Sequence, residues 1–416
     1  MLGIIADDFT GGLMIAGYIE GAGIACPVLF DKNEIAALDP CDVVVVGTRT
    51  RLAPAREAVA EIRAIAERFD RTGCTKVAYK VCASFDSTDD GNIGPVADLL
   101  AARYEQKPLL LSAGFPRFGT TLHQGYLFYR NRLVSESIKR FDPLTPMSDP
   151  DMVRTLSRQT NAKVGLLSHS ALHAGVDAAR SRLEQLSAEG NDYVLMDCSD
   201  DTDAEVGAAL AGSHRATIGS DAHIIAFAKV CAGNSPDNRL PAPRHAEGPA
   251  AVLVGSVGPV ATAQLAEFQR HHPVLVLDIL DDSAEAALVE DALRWAEQHI
   301  GTEPVALTTA ADQDAVEKAQ RLHGPLVAAR KAERLLASVA KGLVERGVRR
   351  LAVAGGETSG SIVESLGIKM VRAFPEGKLG TGFCVAEAPL HLSLYLKPGK
   401  LGADDILLRA VEAMRN

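Results

Sequence analysis

The chain has 416 residues, of which 47% are hydrophobic and 23% are charged, and its formal net charge is −10. This composition is typical of a soluble globular protein and excludes a disordered or fibrous chain, and at the usual ~150 residues per domain the length predicts two or three domains. Because the sequence is acidic and has no long run of Lys or Arg, we expect neither nucleic acid nor a membrane surface as a partner.

The cysteines and the amino-terminal sequence bear on the cellular location of the protein. Seven cysteines are scattered along the chain without a CxxC pair, which argues against a disulfide framework and against a zinc site. The opening MLGIIADDFT has no basic head before a long apolar run, so it does not resemble a signal peptide. The apolar runs are far shorter than the ~20 residues of a membrane span. We therefore expect a cytoplasmic protein.

Short β-branched runs alternate with helical patterns in the first half of the chain. Strands are predicted over 2–5, 42–46, 76–79, 109–111, 163–167 and 193–196. Between the second and third runs, Pro54 precedes apolar residues at spacings of three and four, which predicts an amphipathic helix with Val59, Ile62, Ile65, Ala66 and Phe69 on one face. A strand, a helix and a strand in this order favour right-handed crossovers and a mainly parallel sheet.

The stretch 234–249, NSPDNRLPAPRHAEGP, has the composition of a linker, with four prolines and almost no large apolar residue. After it the alternation resumes with AAVLVG, PVLVLDIL and PVALT, a long helix over 327–346, LAVAGG, a short helix from about Ser359, and HLSLYL. We therefore predict an α/β fold of two domains, 1–235 and 250–416, joined by a linker over 236–249. Each domain is expected to be a mainly parallel sheet flanked by helices, with the active site in the interdomain cleft.

Two carboxylates follow the first predicted strand. Asp7 and Asp8 lead into Thr10 and two glycines, and ligands of open parallel sheets bind at the carboxyl ends of the strands. One carboxylate could act as a base or metal ligand while the other holds the turn. Alternatively, Asp8 or Thr10 caps a helix that starts near Gly12. The residues alone leave both interpretations open.

A second polar cluster follows the strand that ends in Tyr79. Lys80 could bind an anion, and the residues after it offer hydrogen bonds suited to a polyhydroxylated substrate: Asp86, Ser87, Thr88 and Asn92. The alternative is a helix start in which these residues form turns and caps. Arg49, at the end of the VVVV strand, could grip a substrate carboxylate or could be a solvated surface arginine.

The second half of the chain has three glycine-containing turns, each directly after a predicted strand. They are GSVG from Gly255, GGETSG from Gly355 and KPGKLG from Lys397. Free N–H groups at a helix start that follows such a turn can bind an anion. None is a Walker A loop, because no GK[ST] follows, and any one of them could be a simple tight connection. Three in one domain favour a nucleotide site.

These residues resemble the four-carbon acid sugar kinase family over essentially the whole chain. IADDFTGG is similar to the family's ADDxTGA motif, and YKVCASFDSTDDGNIGP is similar to its DSTxxGNIG segment. AGFPRFGTT, SESIKRFDPLTPM and RQTNAKVGLL resemble its middle section, while GSVGP and AGGETSG resemble its nucleotide-domain motifs. The FDSTxxGNIGPV form and the DPLTPM phrase most resemble the members that act on 3-oxo-tetronates.

The resemblance implies an ATP- and Mg²⁺-dependent kinase that phosphorylates the terminal hydroxyl of a four-carbon or similar short sugar acid, such as a 3-oxo-tetronate or threonate. It implies Asp8 and Asp86 as catalytic residues and a substrate side made of Asp7, Arg49, Lys80, Ser87 and Thr88. On the ATP side it implies Ser256, Gly356, Glu357, Thr358, Ser359, Gly399 and Gly402. It assigns no metal ligands, and a homodimer is one option for the assembly.

The sequence departs from the family pattern where selectivity could change. Leu13 and Met14 stand where the family continues TGAxDxA, so an expected aspartate is missing, and the late KSGNFG motif appears as KPGKLG. The segment GSDA at 219–222 replaces a GGSG segment. Two other functions remain as alternatives, a non-catalytic two-domain sugar-acid-binding protein and a dehydrogenase with atypical cofactor binding.

Overall fold

The computed structural model describes residues 1–142, 144–233, 242–255, 258–281, 283–309, 318, 321, 325–399 and 401–415. The chain divides into two compact units, Met1–Leu240 and Pro241–Asn416. Residues 236–241 of the predicted linker lie outside the described residues, as do Ser256 and Lys400.

The first unit is built on a parallel sheet. Its strands are β1 (Leu2–Ala6), β2 (Pro27–Leu29), β3 (Val43–Gly47), β4 (Lys76–Lys80), β5 (Leu109–Ser112), β9 (Val164–Leu167), β10 (Tyr193–Met196) and β11 (Ala216–Gly219). Their order across the sheet is β2-β3-β1-β4-β11-β5-β10-β9, and every neighbouring pair is parallel. All five residues of β3, VVVVG, are buried, as expected for a strand covered on both faces.

Helices connect and cover these strands. They are α1 (Phe9–Gly21), α2 (Ala55–Arg71), α3 (Ile93–Tyr104), α4 (Met152–Ser157), α5 (His169–His173), α6 (Val176–Ala188), α7 (Asp201–Ala211) and α8 (Asp221–Ala232). The predicted helix after Pro54 is α2, and it buries Ala58, Ile62, Ile65, Ala66 and Phe69. Val59, predicted on that face, is half-buried at its margin.

A small antiparallel sheet follows β5. Its strands are β6 (Thr120–His123), β7 (Tyr126–Tyr129) and β8 (Arg132–Leu133). Two 3-10 helices come next, Val134–Glu136 and Ile138–Phe141, and the second carries Lys139. Two more 3-10 helices lie at Lys32–Ala37 and Pro116–Phe118.

The second unit has a mixed sheet. Its strands are β12 (Ala250–Val254), β13 (Val274–Val276), β14 (Val305–Thr308), β15 (Arg350–Ala354), β16 (Met370–Ala373), β17 (Phe383–Ala386) and β18 (Leu392–Lys397). The order β13-β14-β12-β15-β18 is parallel, and β17 and β16 continue it antiparallel. The helices are α9 (Pro259–Gln269), α10 (Glu285–Glu297), α11 (Pro325–Glu345), α12 (Gly356–Ser365) and α13 (Ile406–Ala413).

The structure confirms the predicted α/β class with mainly parallel sheets flanked by helices. Each predicted strand is present, with ends shifted by at most four residues, and α11 and α12 match the two predicted helices of the second half. In the described residues, no helix is long and apolar enough to cross a bilayer.

Candidate active site

Arg51 joins the two carboxylates that follow β1. Its Nε and Nη2 donate to the two oxygens of Asp7, at 2.9 and 2.8 Å, and Nη2 also donates to Oδ1 of Asp8 at 2.7 Å. The Asp7 side chain is 5% exposed, whereas those of Asp8 and Arg51 are 27% and 25% exposed. This bidentate pairing is the strong form of an arginine–carboxylate contact, and it fixes both aspartates at the end of β1.

Asp8 also caps α1. Its Oδ1 accepts a hydrogen bond from the N–H of Gly11 at 3.0 Å, and its Oδ2 accepts one from the hydroxyl of Thr10 at 2.8 Å. The capping interpretation of the sequence is therefore confirmed for Asp8. Because the side chain remains partly exposed, the cap and a role at the site are compatible.

The charges around Asp8 keep it ionised. Burial raises the pKa of Asp8, but Arg51, Lys80 and the bonds from Thr10 and Gly11 outweigh burial, so the net pKa lies below its ordinary value. Burial likewise works against the charge of Arg51, yet the carboxylates hold its pKa well above the usual range. Both groups are thus charged at neutral pH.

Lys80 ends β4 in a buried ion pair. Its Nζ lies 3.3 Å from Oδ1 of Asp221, the first residue of α8, and the two side chains are 2% and 1% exposed. Burial alone would lower the pKa of Lys80, but the carboxylates of Asp221, Asp7 and Asp8 outweigh burial and raise it. The lysine that we predicted as an anion contact therefore lies behind the aspartate pair, where it supports Asp7 and Asp8 electrostatically.

Asp86 lies on a strained segment after β4. Phe85 and Asp86 have positive φ angles of 65° and 25°, a region that non-glycine residues adopt rarely and that clusters at functional sites. Lys139 donates to both oxygens of Asp86, at 2.8 and 3.0 Å, and the hydroxyl of Ser84 donates to Oδ1 at 2.7 Å. Burial raises the pKa of Asp86, but Lys139 and the hydrogen bonds outweigh burial, so the net pKa is lowered.

Cys82 lies beside this carboxylate. Its Sγ is 3.2 Å from Oδ2 of Asp86, and its N–H donates to Oδ2 of Asp7 at 3.2 Å. Burial, and after it the charge of Asp86, raises the pKa of the thiol to about 11. The contacts of Cys82 link the Asp7–Asp8 pair with Asp86 in one polar cluster.

Gln159, which follows α4, holds Ser87 and Thr88 in place. Nε2 of Gln159 donates to the hydroxyl of Ser87 at 2.8 Å and to the carbonyl of Thr88 at 2.6 Å. A Cβ on Gly91 would come within 1.9 Å of the Ser87 hydroxyl, so the turn requires glycine there. Asn92 donates to the carbonyls of Thr50 and Ala53, at 2.6 and 3.0 Å, and makes no side-chain cap to α3. These contacts tie the loop after β4 to the loop after β3.

Arg49 differs from the other cations of this cluster. It is exposed, its guanidinium carbon lies 5.6 Å from the centre of the Phe9 ring, and among the described residues it makes no ion pair. Arg51, Lys80 and Lys139 are each paired with an aspartate. Arg49 is thus the cation whose charge is open to a ligand.

Sequence reasoning missed Arg51, Lys139 and Asp221. Arg51 belongs to the same TRTR run as Arg49, and this run is the sequence signal that places it near the aspartate pair. Lys139 lies in the SESIKRF segment, and Asp221 lies in the GSDA segment that departs from the family pattern. Neither segment indicates which residue the side chain would contact. The departure from GGSG therefore has a structural role, because Asp221 neutralises Lys80.

The position of the missing family aspartate is partly accessible. Met14 is half-buried on α1, whereas its neighbour Leu13 is 2% exposed. Leu13 therefore packs in the core, whereas Met14 stays partly exposed on α1.

In the second unit, three strand ends bring the glycine turns together. β12, β15 and β18 are adjacent and parallel. The N–H of Gly255 donates to the carbonyl of Ala354, and that of Gly355 to the carbonyl of Lys397, each at 3.0 Å. The described parts of the turns, Gly255, Gly258, Gly355 to Ser359, Gly399 and Gly402, therefore follow neighbouring strands.

The glycine at the start of α12 has open space beside it, whereas the glycine after β12 packs against this helix. A Cβ on Gly356 would meet nothing within 4 Å, whereas one on Gly255 would come within 2.0 Å of the Thr358 hydroxyl. Thr358 and Ser359 are 4% and 2% exposed, and the hydroxyl of Ser359 donates to the carbonyl of Gly355 at 2.7 Å. Glu357 is exposed. Thr358 thus packs beneath the helix start, while the backbone at Gly356 is accessible.

Gln264 holds the turn that contains Gly402. Its Nε2 donates to the carbonyls of Leu401, Gly402 and Ala403 at 3.0–3.1 Å. Gly402 has φ +100°, a conformation that favours glycine. Gly399, in the preceding part of this turn, is half-buried.

Lys397, the last residue of β18, is a buried cation that has no partner among the described residues. Its side chain is 3% exposed and its Nζ makes no hydrogen bond in the described structure. Burial lowers its pKa to about 8. Leaving an ammonium buried without a partner is costly, which makes Lys397 a candidate contact for an anionic ligand.

Comparison with known proteins agrees with this division of the chain. Residues 2–224 match a family described as a sugar-binding N-terminal domain, and residues 251–407 match one described as a nucleotide-binding C-terminal domain. Two proteins named 3-oxo-tetronate kinase are each 36% identical: one from Methylobacterium radiotolerans over 99% of both chains, and one from Burkholderia multivorans over 100% of this chain and 97% of its own.

Solved structures share the fold over the full length. A Salmonella typhimurium LT2 protein superposes with a TM-score of 0.87 at 30% identity and covers 98% of each chain. A Haemophilus influenzae protein does so with a TM-score of 0.79 at 26% identity and covers 100% of each chain.

A sugar-binding unit followed by a nucleotide-binding unit, with kinases as full-length relatives, defines a phosphotransferase that has an alcohol group as acceptor. The chain belongs to the four-carbon acid sugar kinase family.

Proposed function

We propose that this enzyme transfers the γ-phosphate of ATP to the terminal hydroxyl of a four-carbon sugar acid such as a 3-oxo-tetronate or threonate. The observation that carries the proposal is the end-to-end similarity, at 36% identity, to proteins named 3-oxo-tetronate kinase. Family membership favours a kinase over a non-catalytic sugar-acid-binding protein and over a dehydrogenase.

The first unit supplies groups suited to a sugar acid. Arg49 is exposed and unpaired among the described residues, so it can take the substrate carboxylate. Asp8 and Asp86 have lowered pKa values, so either is ionised at neutral pH and can accept the proton of the attacking hydroxyl. Asp7, Lys80, Ser87 and Thr88 support this site through the ion pairs and hydrogen bonds described above.

The second unit supplies groups suited to phosphates. The accessible backbone at Gly356 opens α12, whose free N–H groups and dipole favour an anion, and Glu357 to Ser359 follow in its first turn. Lys397 offers the unpaired positive charge at the end of the adjacent strand. Ser256, Gly399 and Gly402 belong to the neighbouring turns, and Ser256 stays a prediction because it lies outside the described residues.

The reaction needs little covalent chemistry from the protein. The substrate hydroxyl oxygen forms a bond to the γ-phosphorus, the bond between that phosphorus and the β,γ-bridging oxygen breaks, ADP leaves, and the hydroxyl proton passes to a carboxylate. Positioning and charge stabilisation provide most of the rate enhancement in such reactions. The paired carboxylates fit that requirement, as do Arg49 and Lys397, which have no ion-pair partner among the residues that the structure describes.

Mg²⁺ is part of the proposal, and it supplies charge neutralisation on the phosphates when bound. Mg²⁺ usually binds through nucleotide phosphates, waters and one or two carboxylates. The oxygens of Asp7, Asp8 and Asp86 are already engaged by Arg51 and Lys139. The exposed carboxylate of Glu357, in the first turn of α12, is therefore the ligand that we propose.

An ADP-release assay against a panel of four-carbon sugar acids and their 3-oxo forms tests the proposal. We expect one acid to give turnover that depends on both ATP and Mg²⁺, with the phosphate on the terminal hydroxyl of the product. Folded protein that releases no ADP above background with every acid would contradict the substrate class. A cytoplasmic location and a homodimer stay predictions.

A further inference from the structure

We infer that the first unit carries a transition-metal site, distinct from the kinase site, formed by His169, His173 and Asp200. One ligand atom from each residue lies within 4.8 Å of the other two. Imidazole nitrogens with a carboxylate oxygen form a donor set typical of Zn²⁺ and related divalent ions. The prediction against a zinc site rested on the spacing of the cysteines. The site inferred here uses histidines and an aspartate instead.

The two histidines lie on one face of a short helix. His169 and His173 are the first and last residues of α5, in the spacing of one helical turn, and their ring centres are 5.1 Å apart. Residues four apart on a helix project from the same side. Asp200 lies directly before α7 and caps this helix by accepting from the N–H of Asp203 at 2.9 Å.

Asp203 orients the His169 ring. Nδ1 of His169 lies 2.9 Å from one carboxylate oxygen of Asp203 and 3.0 Å from the other, and the Asp203 side chain is fully buried. Because a carboxylate accepts, Nδ1 carries the proton in this contact, which leaves Nε2 of a neutral ring to bind a metal. A carboxylate behind a ligating histidine is the usual outer partner in metal sites, and it fixes the ring's tautomer and direction.

The surrounding backbone is held in place. The buried carboxylate of Asp197 accepts from the N–H groups of Gln124, Gly125 and His169, at 2.8, 2.9 and 2.7 Å. This contact joins the start of α5 to the turn between β6 and β7 and to the end of β10. The candidate ligands therefore lie on loops that are already anchored to one another, which reduces the ordering cost of binding.

A third imidazole is close enough to complete the coordination. His123, at the end of β6, has its ring centre 5.3 Å from that of His169, and its Nδ1 lies 2.9 Å from the hydroxyl of Ser199. It is exposed, so its ring can turn toward the ion. We propose His123 or a water molecule as the fourth ligand.

This cluster lies apart from the kinase site. It follows β9 and β10, whereas the aspartate pair and Asp86 follow β1 and β4. Strands β4 and β10 are separated by three strand spacings, roughly 14 Å at ~4.8 Å each. The metal would connect the loops after β9 and β10 and stabilise this side of the unit.

Cobalt titration of the full-length protein tests the inference. Co²⁺ replaces Zn²⁺ in nitrogen and oxygen sites and gives visible absorption bands that report its ligands. We expect the wild type to bind a single Co²⁺ ion that Zn²⁺ displaces, and Zn²⁺ to raise the melting temperature. His173→Ala changes an exposed residue and should lose both effects, while Asp203→Asn should weaken binding by roughly 10–100-fold.

His271→Ala is the matched control, because His271 is an exposed histidine of the second unit. It should bind Co²⁺ as the wild type does. Equal Co²⁺ binding by His173→Ala would overturn the inference. Absence of saturable binding in the wild type would overturn it as well and would leave His169 and Asp203 as an ion pair only.

Discussion

At the scale of single residues, Asp86 has an unusual backbone and two polar neighbours that keep it charged. Its positive φ of 25° is tolerated by Asn, so Asp86→Asn removes the charge without changing the backbone preference. We expect kcat to fall by roughly 10²–10⁴-fold if Asp86 accepts the proton, with nucleotide affinity little changed. Steady-state kinetics and calorimetry with ATP measure the two quantities.

The matched control for Asp86 is Asp90→Asn. Asp90 lies in the same loop but is exposed, so this variant should keep normal turnover. Near-normal kcat in Asp86→Asn would remove Asp86 from the candidate bases and leave Asp8, for which Asp8→Asn is the corresponding test.

The second prediction at this scale concerns the proton on Lys397. Its pKa of about 8 should rise when a phosphate pairs with it, so ATP binding near pH 8 should be accompanied by proton uptake. Calorimetry in two buffers with different ionisation heats measures that uptake. Lys397→Met should lose this uptake and bind ATP more weakly, whereas Lys397→Arg should keep the charge without titrating in this range.

The same lysine gives a pH dependence of stability with a definite sign. In the folded protein its pKa lies below the ordinary value of 10.5, so the unfolded chain binds more protons between about pH 8 and 10.5. Relative to Lys397→Met, the free energy of unfolding of the wild type should therefore increase as the pH rises through that window. Identical proton uptake and identical pH profiles in the two proteins would mean that Lys397 is not the titrating group.

The residues of the candidate site could be predicted where they directly follow a buried strand. Asp7, Lys80 and Gly356 were found in that way. Partners distant in sequence could not be found, because Lys139 lies 53 positions after Asp86, and Asp221 lies far beyond Lys80. Only the folded sheet brings such residues together, and no local pattern records the contact.

At the scale of elements, a buried ion pair joins the end of β4 to the start of α8. Removing one partner leaves the other charge buried and unpaired, which typically costs ~3–5 kcal/mol. We therefore expect Asp221→Ala to lower the free energy of unfolding by about that amount. Chemical denaturation measures the change.

A double variant separates charge from packing at this pair. Lys80→Met with Asp221→Leu removes both charges and should recover most of the stability lost in Asp221→Ala. If the single variant unfolds at the same denaturant concentration as the wild type, the pair has no structural role, and Lys80 becomes available as the anion contact that the sequence suggested.

Gly356, at the start of α12, and Gly255, which follows β12, have opposite surroundings. Gly356→Ala places a methyl group in open space, so the free protein should keep its stability or gain up to ~1 kcal/mol, while ATP binding weakens because phosphate must approach this backbone. Gly255→Ala instead forces a methyl group against Thr358 and should destabilise the fold. Thermal denaturation and ATP calorimetry distinguish the two. Undiminished ATP affinity in Gly356→Ala would exclude this helix start from the phosphate site.

The strands that the sequence revealed are three to six residues long, so length does not separate them from missed strands such as β2, with three residues, and β16 and β17, with four each. β3 reads as a continuous β-branched run, whereas β16, MVRA, contains a charged residue and has no such run. The antiparallel β16–β17 pair also lacks the intervening helix that marks a parallel connection. Composition and context, rather than length, decided which strands were missed.

At the scale of the whole molecule, the two units should respond to different ligands. We expect a non-hydrolysable ATP analogue to slow amide hydrogen exchange around Gly356 and the turn with Gly402, and the sugar acid to slow it around Asp8 and Asp86. Exchange measured by mass spectrometry on the intact enzyme locates both effects. Protection of the first unit by the nucleotide analogue alone would contradict the assignment of ATP to the second unit.

The burial of the cysteine thiols has a consequence for the activity of the enzyme under oxidative stress. All seven cysteines are buried or half-buried. Peroxide attacks the thiolate form, and with a pKa of about 11 only roughly one in 10⁴ Cys82 side chains is a thiolate at pH 7. Burial, with the carboxylate of Asp86 after it, thus keeps the sulfur protonated. We therefore expect the enzyme to keep its activity at peroxide concentrations that inactivate enzymes with acidic cysteines.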